Sequence, residues 1–422
     1  MRKAILLSVL FAIPVMASAF NGKAKVGGIW YNIVTKAEKA EVTSEYPIQH
    51  YKGRVVIPKT IVYEGVTCNV TAIGEGAFAQ SEIQQVVIPS SVTSIGSRAF
   101  VYCDNLNSVT IPESIEEIGS RAFDGCYALK TIKLPSKLKT IEEGLFNQCY
   151  QLTSIVIPND VTTIGWHAFK GCRGLKSVKM GDKIEKIGDE AFMECEQLSQ
   201  VEIPNSVVEI ESNAFKDCKR LTTVTLGSGV EKISFSAFSG CGDLKDFYIT
   251  SAVLPDIINH AEIFQGAEVE YATLHVAESM IETCKLSAPW SKFGKIVANP
   301  NAVAPRSAGN NQDDDETIYE PSDCQGQFPT PAIPRYELEN WLEEQAIYPK
   351  VEEGKYIGTS VTVDFVVEPD GSISNVKATK NSWPELIPEA ERVVRSMPKW
   401  HPGKVNGKYA RVRERIGVHF KK

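Results

Sequence analysis

The sequence predicts a solenoid of 23-residue units, mainly short strands with small helical turns, followed by a small α+β domain. Three observations predict it. Cys103, Cys126, Cys149, Cys172, Cys195, Cys218 and Cys241 recur every 23 residues, with phenylalanines three residues earlier (Phe100 to Phe238) and leucines three residues later (Leu106 to Leu244). After about residue 298 the repeat stops, and Ala, Asn, Gly, Pro and Ser dominate. From about residue 328 an apolar pattern returns in a different order: helix, hairpin, helix, strand. A strict period of this kind is the mark of stacked units that share one core.

The 422 residues exceed a comfortable single core, which agrees with a repeat array plus a domain. A hydrophobic share of 43% and a charged share of 23% exclude collagen-like, mucin-like and wholly disordered chains. The formal charge of -7 argues against general nucleic-acid binding. Residues 1–19 read as a cleavable export signal. Arg2 and Lys3 precede an apolar stretch, and Ala17-Ser18-Ala19 is a small-x-small cleavage site. Pro14 interrupts that stretch, which is too short to span a bilayer. The mature chain is therefore expected to be exported, with no membrane span.

Residues 20–298 form the predicted solenoid. One unit reads Leu106-x-x-Val109-x-Ile111-Pro112, then Ile115-x-x-Ile118, then Ala122-Phe123-x-x-Cys126. The first part alternates as a short strand. Pro89, Pro112, Pro135, Pro158 and Pro204 end such strands, because proline cannot donate to a ladder. Gly181 and Gly227 are expected to turn the chain where proline is missing. The Ala-Phe-x-x-Cys spacing suits one helical turn. The cysteines read as a ladder of reduced core thiols: stacked strands lie about 4.8 Å apart, wider than the usual Cβ separation of a disulfide. Metal binding and adjacent-turn disulfides are the alternatives.

These residues resemble the BspA-like class of bacterial leucine-rich repeats, from about Ile29 to Val297. Ile57-Pro58 with residues 72–78 looks like an opening unit, lengthened by an insertion at residues 63–69. Thr273-Leu274-His275-Val276 with Trp290, Phe293 and Ile296 looks like a closing cap, although Ala277 stands where members usually carry proline. The resemblance implies a leucine-rich-repeat solenoid that binds rather than catalyses.

Residues 299–327 read as a flexible acidic linker containing Asp313-Asp314-Asp315-Glu316 and a solitary Cys324. Residues 328–422 form the predicted α+β domain. A helix surrounds Leu338, Trp341 and Leu342. Val361 to Val367 and Ile373 to Ala378 form a hairpin about Pro369-Asp370-Gly371. A second helix covers Leu386 to Met397, and Val412, Ile416, Val418 and Phe420 share a face of a last strand.

This segment resembles the TonB C-terminal domain. The matching residues are Ile347-Tyr348-Pro349, Gly358, Phe365-Val366-Val367, Asp370-Gly371-Ser372-Ile373, Glu389-Ala390 and Met397-Pro398-Lys399-Trp400-x-Pro402-Gly403. Thr330-Pro331 and Gly417 depart from its pattern. The resemblance implies docking of an envelope partner, through a last strand that accepts an added strand. An energy transducer of this type keeps a membrane helix, so a cleaved leader implies binding without transduction.

No nucleophile elbow, Walker loop, dinucleotide fingerprint or zincin motif is present, and the six histidines are scattered. The chain therefore reads as non-enzymatic, with no catalytic, cofactor-binding or metal residues and no cofactor. A glycan-active enzyme stays as a third alternative, since paired carboxylates meet only in a fold. Candidate partner-binding residues come from two places. Trp166 and Phe235 occupy outward positions where other units place Ser97, Ser120, Asp189 or Ser212. Arg411, Arg413 and Arg415 alternate along the last strand, where residues 392–422 carry 10 basic and 1 acidic side chains against 5 and 12 in residues 329–391. A charged edge that deters aggregation explains the arginines equally well.

The expected protein is an exported, non-enzymatic binding protein of a Gram-negative envelope, in the periplasm or alternatively at the cell surface or secreted. Its solenoid would recognise a protein or glycan, and its C-terminal domain would dock an envelope partner or transporter segment. The alternative is a periplasmic modulator of TonB-dependent transport acting by strand addition.

Overall fold

Two parallel ladders of short strands run the length of the repeats, and both follow from the unit sequence. The computed structural model describes residues 21–44, 51–258, 262–302, 318–324, 329–332, 335–349, 359–379, 383–405 and 408–421. The expected leader and most of the expected linker lie outside the described residues, as do His260, Phe328 and Gly358.

The first ladder is the anticipated one. Its rungs include Glu82–Val87, Ser108–Thr110, Ser154–Val156, Ser177–Lys179, Gln200–Ile203, Thr223–Leu226 and Asp246–Ile249. Pairing is in register with the repeat, as in Gln200 opposite Thr223 and Val201 opposite Val224. The second ladder has two-residue rungs, such as Thr163–Ile164, Lys186–Ile187 and Glu209–Ile210, again 23 residues apart. Between the ladders the chain turns a corner that the proline closes with its own carbonyl. Ile115 N donates to Pro112 O at 3.2 Å, and Val207 N to Pro204 O at 3.1 Å. Gly227 turns the chain as expected, accepting from Val230 N at 3.2 Å, and both glycines have a second role. Neither has a positive φ; a Cβ on them would stand 2.5 Å from Pro158 O and 2.4 Å from Pro204 O. Close stacking on the preceding unit requires glycine there.

The Ala-Phe-x-x-Cys stretch is not a helical turn. Each unit holds two left-handed residues there, for example Arg98 (φ 55) with Tyr102 (φ 55), and Arg121 (φ 57) with Gly125 (φ 70). Left-handed residues break a helix after every few bonds. The stretch instead alternates turn bonds (Ala122 N to Gly119 O, 3.2 Å) with bonds to the next unit (Phe123 N to Leu145 O, 3.0 Å).

The core is a stack of repeated side chains. From Phe78 to Phe238 the phenylalanine rings lie nearly parallel at 5.1–5.6 Å, all of them buried. All ten cysteines are buried free thiols. In the seven repeated units each thiol donates to the carbonyl of the preceding unit's phenylalanine, at 3.0–3.3 Å. Cysteine thus fits a small apolar slot and also supplies a donor to a buried carbonyl. Burial pushes the thiols up, Cys103 to about 12, which keeps them protonated and inert.

Both ends are covered. Strands Asn21–Val26, Ile29–Val34 and Lys39–Thr43 form an antiparallel meander whose last strand joins Val66–Ile73 in parallel. The insertion at residues 63–69 is part of a hairpin between Thr60–Tyr63 and Val66–Ile73. At the other end Thr273–Val276 pairs with Lys295–Ala298, and Phe247, Phe264, Trp290 and Phe293 cluster edge-on beneath them.

The C-terminal unit is a four-stranded sheet in the order Ile318–Tyr319, Arg411–His419, Ser360–Val367, Ile373–Ala378. Helices Arg335–Gln345 and Ile387–Arg395 contribute Leu338, Leu342, Ala390, Val393 and Val394 to one core with Val361, Phe365 and Ile416. Gly371, at φ +79, lies where a Cβ would come 2.2 Å from Trp400 O, so the hairpin turn needs glycine. Val412 packs apart from the other three residues expected on its face, in a small cluster with Ala410 and Cys324. Residues 318–324, inside the stretch expected to be linker, thus pack on this unit. Lys404 Nζ and Tyr409 OH both meet Glu231 of the solenoid, the latter at 3.1 Å.

Candidate binding surfaces

Both ladders are interrupted at one unit, and the first ladder has a further break between Ser177–Lys179 and Gln200–Ile203. Residues 131–133, where a first-ladder strand belongs, form none, and in the second ladder Glu117–Ile118 ends one sheet while Thr140–Ile141 begins the next. The same unit carries the repeat's main irregularity. Leu145 is buried in a column otherwise made of Ala77, Ala99, Ala122, Ala168, Ala191, Ala214 and Ala237. The rings on either side of Phe146 stand at 5.6 and 5.5 Å, the widest spacings in the stack. A side chain too large for its slot pushes neighbours apart in a close-packed interior. On the strand side this leaves a groove of about 1850 Å³, bordered by Ser94, Glu113, Lys133, Lys139, Val156 and Asp160. Sequence reasoning missed the groove, although Leu145 in an alanine column was its visible sign.

Charge pairs rim the groove. Glu113 accepts from Lys133 Nζ at 2.7 Å and Ser136 N at 2.9 Å, which holds its carboxyl at about 2, the lysine hydrogen bond contributing most. Asp160 lies between Lys139 and Lys183, both at 2.8 Å, and is likewise held at about 2. These groups are exposed, so they chiefly set local charge and contribute little to stability.

Trp166 and Phe235 share one column, three units apart and separated by about 14 Å at strand spacing. They are 48% and 53% exposed, so both side chains face solvent. Trp166 leans on the adjacent His167 ring, with centroids 4.3 Å apart. Asp246, on a first-ladder strand, has a specific partner: His275 Nε2 lies 2.8 Å from its carboxylate, beneath a Tyr248 ring stacked at 4.0 Å.

The three arginines of the last strand are each already paired. Arg411 grips Glu368 with two hydrogen bonds, 2.8 and 3.1 Å, and Arg415 grips Asp364 with two, 2.6 and 3.2 Å. Both carboxylates come from the strand region beside it. Arg413 meets Glu320 at 3.0 Å, a residue of the docked segment before the domain. Among the described residues no group of three or more His, Cys, Asp or Glu is placed to hold a metal, and no helix is long and apolar enough to cross a membrane.

The family model for a BspA type leucine rich repeat region matches residues 71–198 and 145–270, in six copies. That for the Gram-negative bacterial TonB protein C-terminal matches residues 344–421. No curated protein matches the chain significantly. Among solved structures, a leucine-rich repeat protein from Bacteroides ovatus is 25% identical, covering 67% of this chain and 78% of its own, with a TM-score of 0.53. A leucine rich cell surface protein from Faecalibacterium prausnitzii is 21% identical over 68% of this chain and 98% of its own, with a TM-score of 0.38. A leucine rich repeat protein from T. pallidum is 25% identical over 53% and 90%, with a TM-score of 0.38. The 23-residue period, the stacked phenylalanine core and the two family-model matches together identify the solenoid as a BspA-type leucine-rich repeat region, joined to a C-terminal unit of the TonB C-terminal type.

Proposed function

We propose that the chain is an exported, non-enzymatic binding protein of the cell envelope, whose solenoid recognises a protein or glycan while its C-terminal unit docks an envelope partner. The observation that supports it most is the union of two binding scaffolds in one chain, each with an outward surface that its own packing does not need. On the solenoid these are the strand-side groove and the aromatic column of Trp166 and Phe235. The periplasm is the proposed compartment, because the TonB-type unit acts there in the family it resembles.

The test compares the full chain with a chain ending after residue 302, on glycan arrays and immobilised outer-membrane proteins. The cut belongs there and not at 299, since Asn299 Nδ2 donates to Ile249 O at 3.2 Å inside the solenoid. Binding retained by the shortened chain, and lost on replacing Trp166 and Phe235 with alanine, supports recognition by the solenoid. Binding lost with the C-terminal unit supports the second reading, a modulator acting by strand addition. That reading is favoured by one feature: the last strand already carries an added strand, Ile318–Tyr319. Protease shaving of intact cells tests the compartment, and surface cleavage would move the protein outside.

A further inference from the structure

The strand Arg411–His419 pairs along one side with Ser360–Val367 through eight positions. Its other side meets only Ile318 opposite Arg411 and Tyr319 opposite Val412, in parallel. The remainder of that side, residues 413–419, pairs with no strand among the described residues. Tyr319 packs against the cluster of Cys324, Ala410 and Val412, and Glu320 reaches Arg413. A groove of about 690 Å³ opens beside Ile318, bounded by Arg413, Arg415, Asp364 and Lys377.

We propose that residues 318–320 are a resident strand that fills the partner edge of the C-terminal unit in cis, and that the external partner is an extended acidic segment that displaces it. The resident strand shows what the edge accepts. It offers main-chain ladder bonds, an aromatic ring for the seat over Val412, and a carboxylate for Arg413. Arg413 is the arginine of the three whose carboxylate does not come from the adjoining strand region, so it is the one exchanged when the resident leaves. The hold is modest: two ladder positions, the Tyr319 seat, and an ion pair whose side chains are about half exposed. Surface pairs of that kind contribute little, so the resident is displaceable, yet its short connection to Pro329 keeps it at an effective concentration of about 1 mM. Full occupancy of the edge then needs a partner with more than two paired residues, and residues 413–419 supply the extra edge.

The inference rests on the reading that this unit docks a partner, but its test does not need that partner. The probe is a fluorescent synthetic peptide with the sequence of residues 314–323, titrated against full-length chains. One variant opens the edge with Tyr319→Gly and Glu320→Gly; a second, Glu320→Arg, loosens the resident while leaving the Tyr319 seat filled. An edge filled in cis predicts that a peptide binding the opened chain at about 100 µM binds the wild type about tenfold more weakly, with the second variant between them. Arg413→Glu in the opened chain should abolish binding, and a peptide carrying lysine in place of Glu320 should restore it. Equal affinity for wild type and opened chains, or no binding to either variant, overturns the inference and makes residues 318–320 a fixed part of the sheet. Failure of the docking reading is a separate result: outer-membrane proteins would then ignore the opened chain even though the peptide binds it.

Discussion

Replacing Leu145 with alanine is the sharpest test of why both ladders break at its unit. Burying a leucine and then truncating it to alanine ordinarily costs about 2–5 kcal/mol. Leu145 differs because it sits fully buried in a column of alanines, between the two widest ring spacings of the stack. At the preceding junction, intact units are joined on the strand side by bonds such as Glu116 N to Thr93 O, Gly119 N to Ile95 O, Asn107 N to Gln84 O and Ile88 N to Thr110 O. Four such bonds, at about 0.5–1.5 kcal/mol each, return about 4 kcal/mol if the alanine lets the units close. The expected net change therefore lies between a gain of about 2 kcal/mol and a loss of about 1 kcal/mol. Urea unfolding measures the net change, and hydrogen exchange shows whether amides at 117–119, 131–134 and 140–142 gain protection. A loss of about 3 kcal/mol or more with unchanged exchange would refute the reasoning, since Leu145 would then be an ordinary core residue.

Three further outcomes follow from the core, the groove and the contact between the two units. Thiol titration of denatured, unreduced protein should find most of the ten cysteines free, and native protein should react slowly because burial holds the thiols protonated; two or fewer free thiols would contradict the stacked-thiol core. Glu113 should titrate by NMR near pH 2 and move up towards 4.5 in Lys133→Ala. Its folded pKa is depressed, so its contribution is present above the unfolded value and lost as pH falls through about 2; a midpoint near 4.5 in the wild type would show that the Lys133 and Ser136 contacts do not persist. Glu231→Ala removes the carboxylate shared by Lys404 and Tyr409, and should raise the radius of gyration in small-angle scattering; an unchanged radius means these contacts do not set the separation of the two units.

The repeat was legible because its period is strict: Phe, Cys and Leu columns can be read without a fold, and their burial follows. The second ladder was not, since a two-residue rung such as Thr163–Ile164 has no alternation to detect. The Ala-Phe-x-x-Cys turn misled for a physical reason. Helical spacing is genuine there, but Arg98, Arg121, His167 and Glu190 adopt left-handed φ, which their residue types do not announce. Long-range neighbours decide that conformation, through bonds to the next unit. The docked segment left a faint trace, Ile318, Tyr319 and Cys324 as apolar residues in polar surroundings, and the seat they occupy exists only in the assembled sheet.

The arginines show most directly how far sequence reasoning reaches. Alternation along a strand correctly places Arg411, Arg413 and Arg415 on one face, because successive side chains of a strand point to opposite sides. It does not reveal what lies across that face. Asp364 stands directly opposite Arg415 in the antiparallel pair, where oppositely charged side chains stabilise a register. Glu368 follows the same strand's end and takes Arg411. Two of the three charges that suggested a basic docking edge are therefore spent within the domain, and charge reversal there should disturb the hairpin before it disturbs a partner. Arg413 alone faces a carboxylate contributed from upstream of the domain. Specificity for an acidic segment, if the edge has it, is thus concentrated at one side chain and in the main-chain ladder beside it, which is why a single reversal at Arg413 separates recognition from folding.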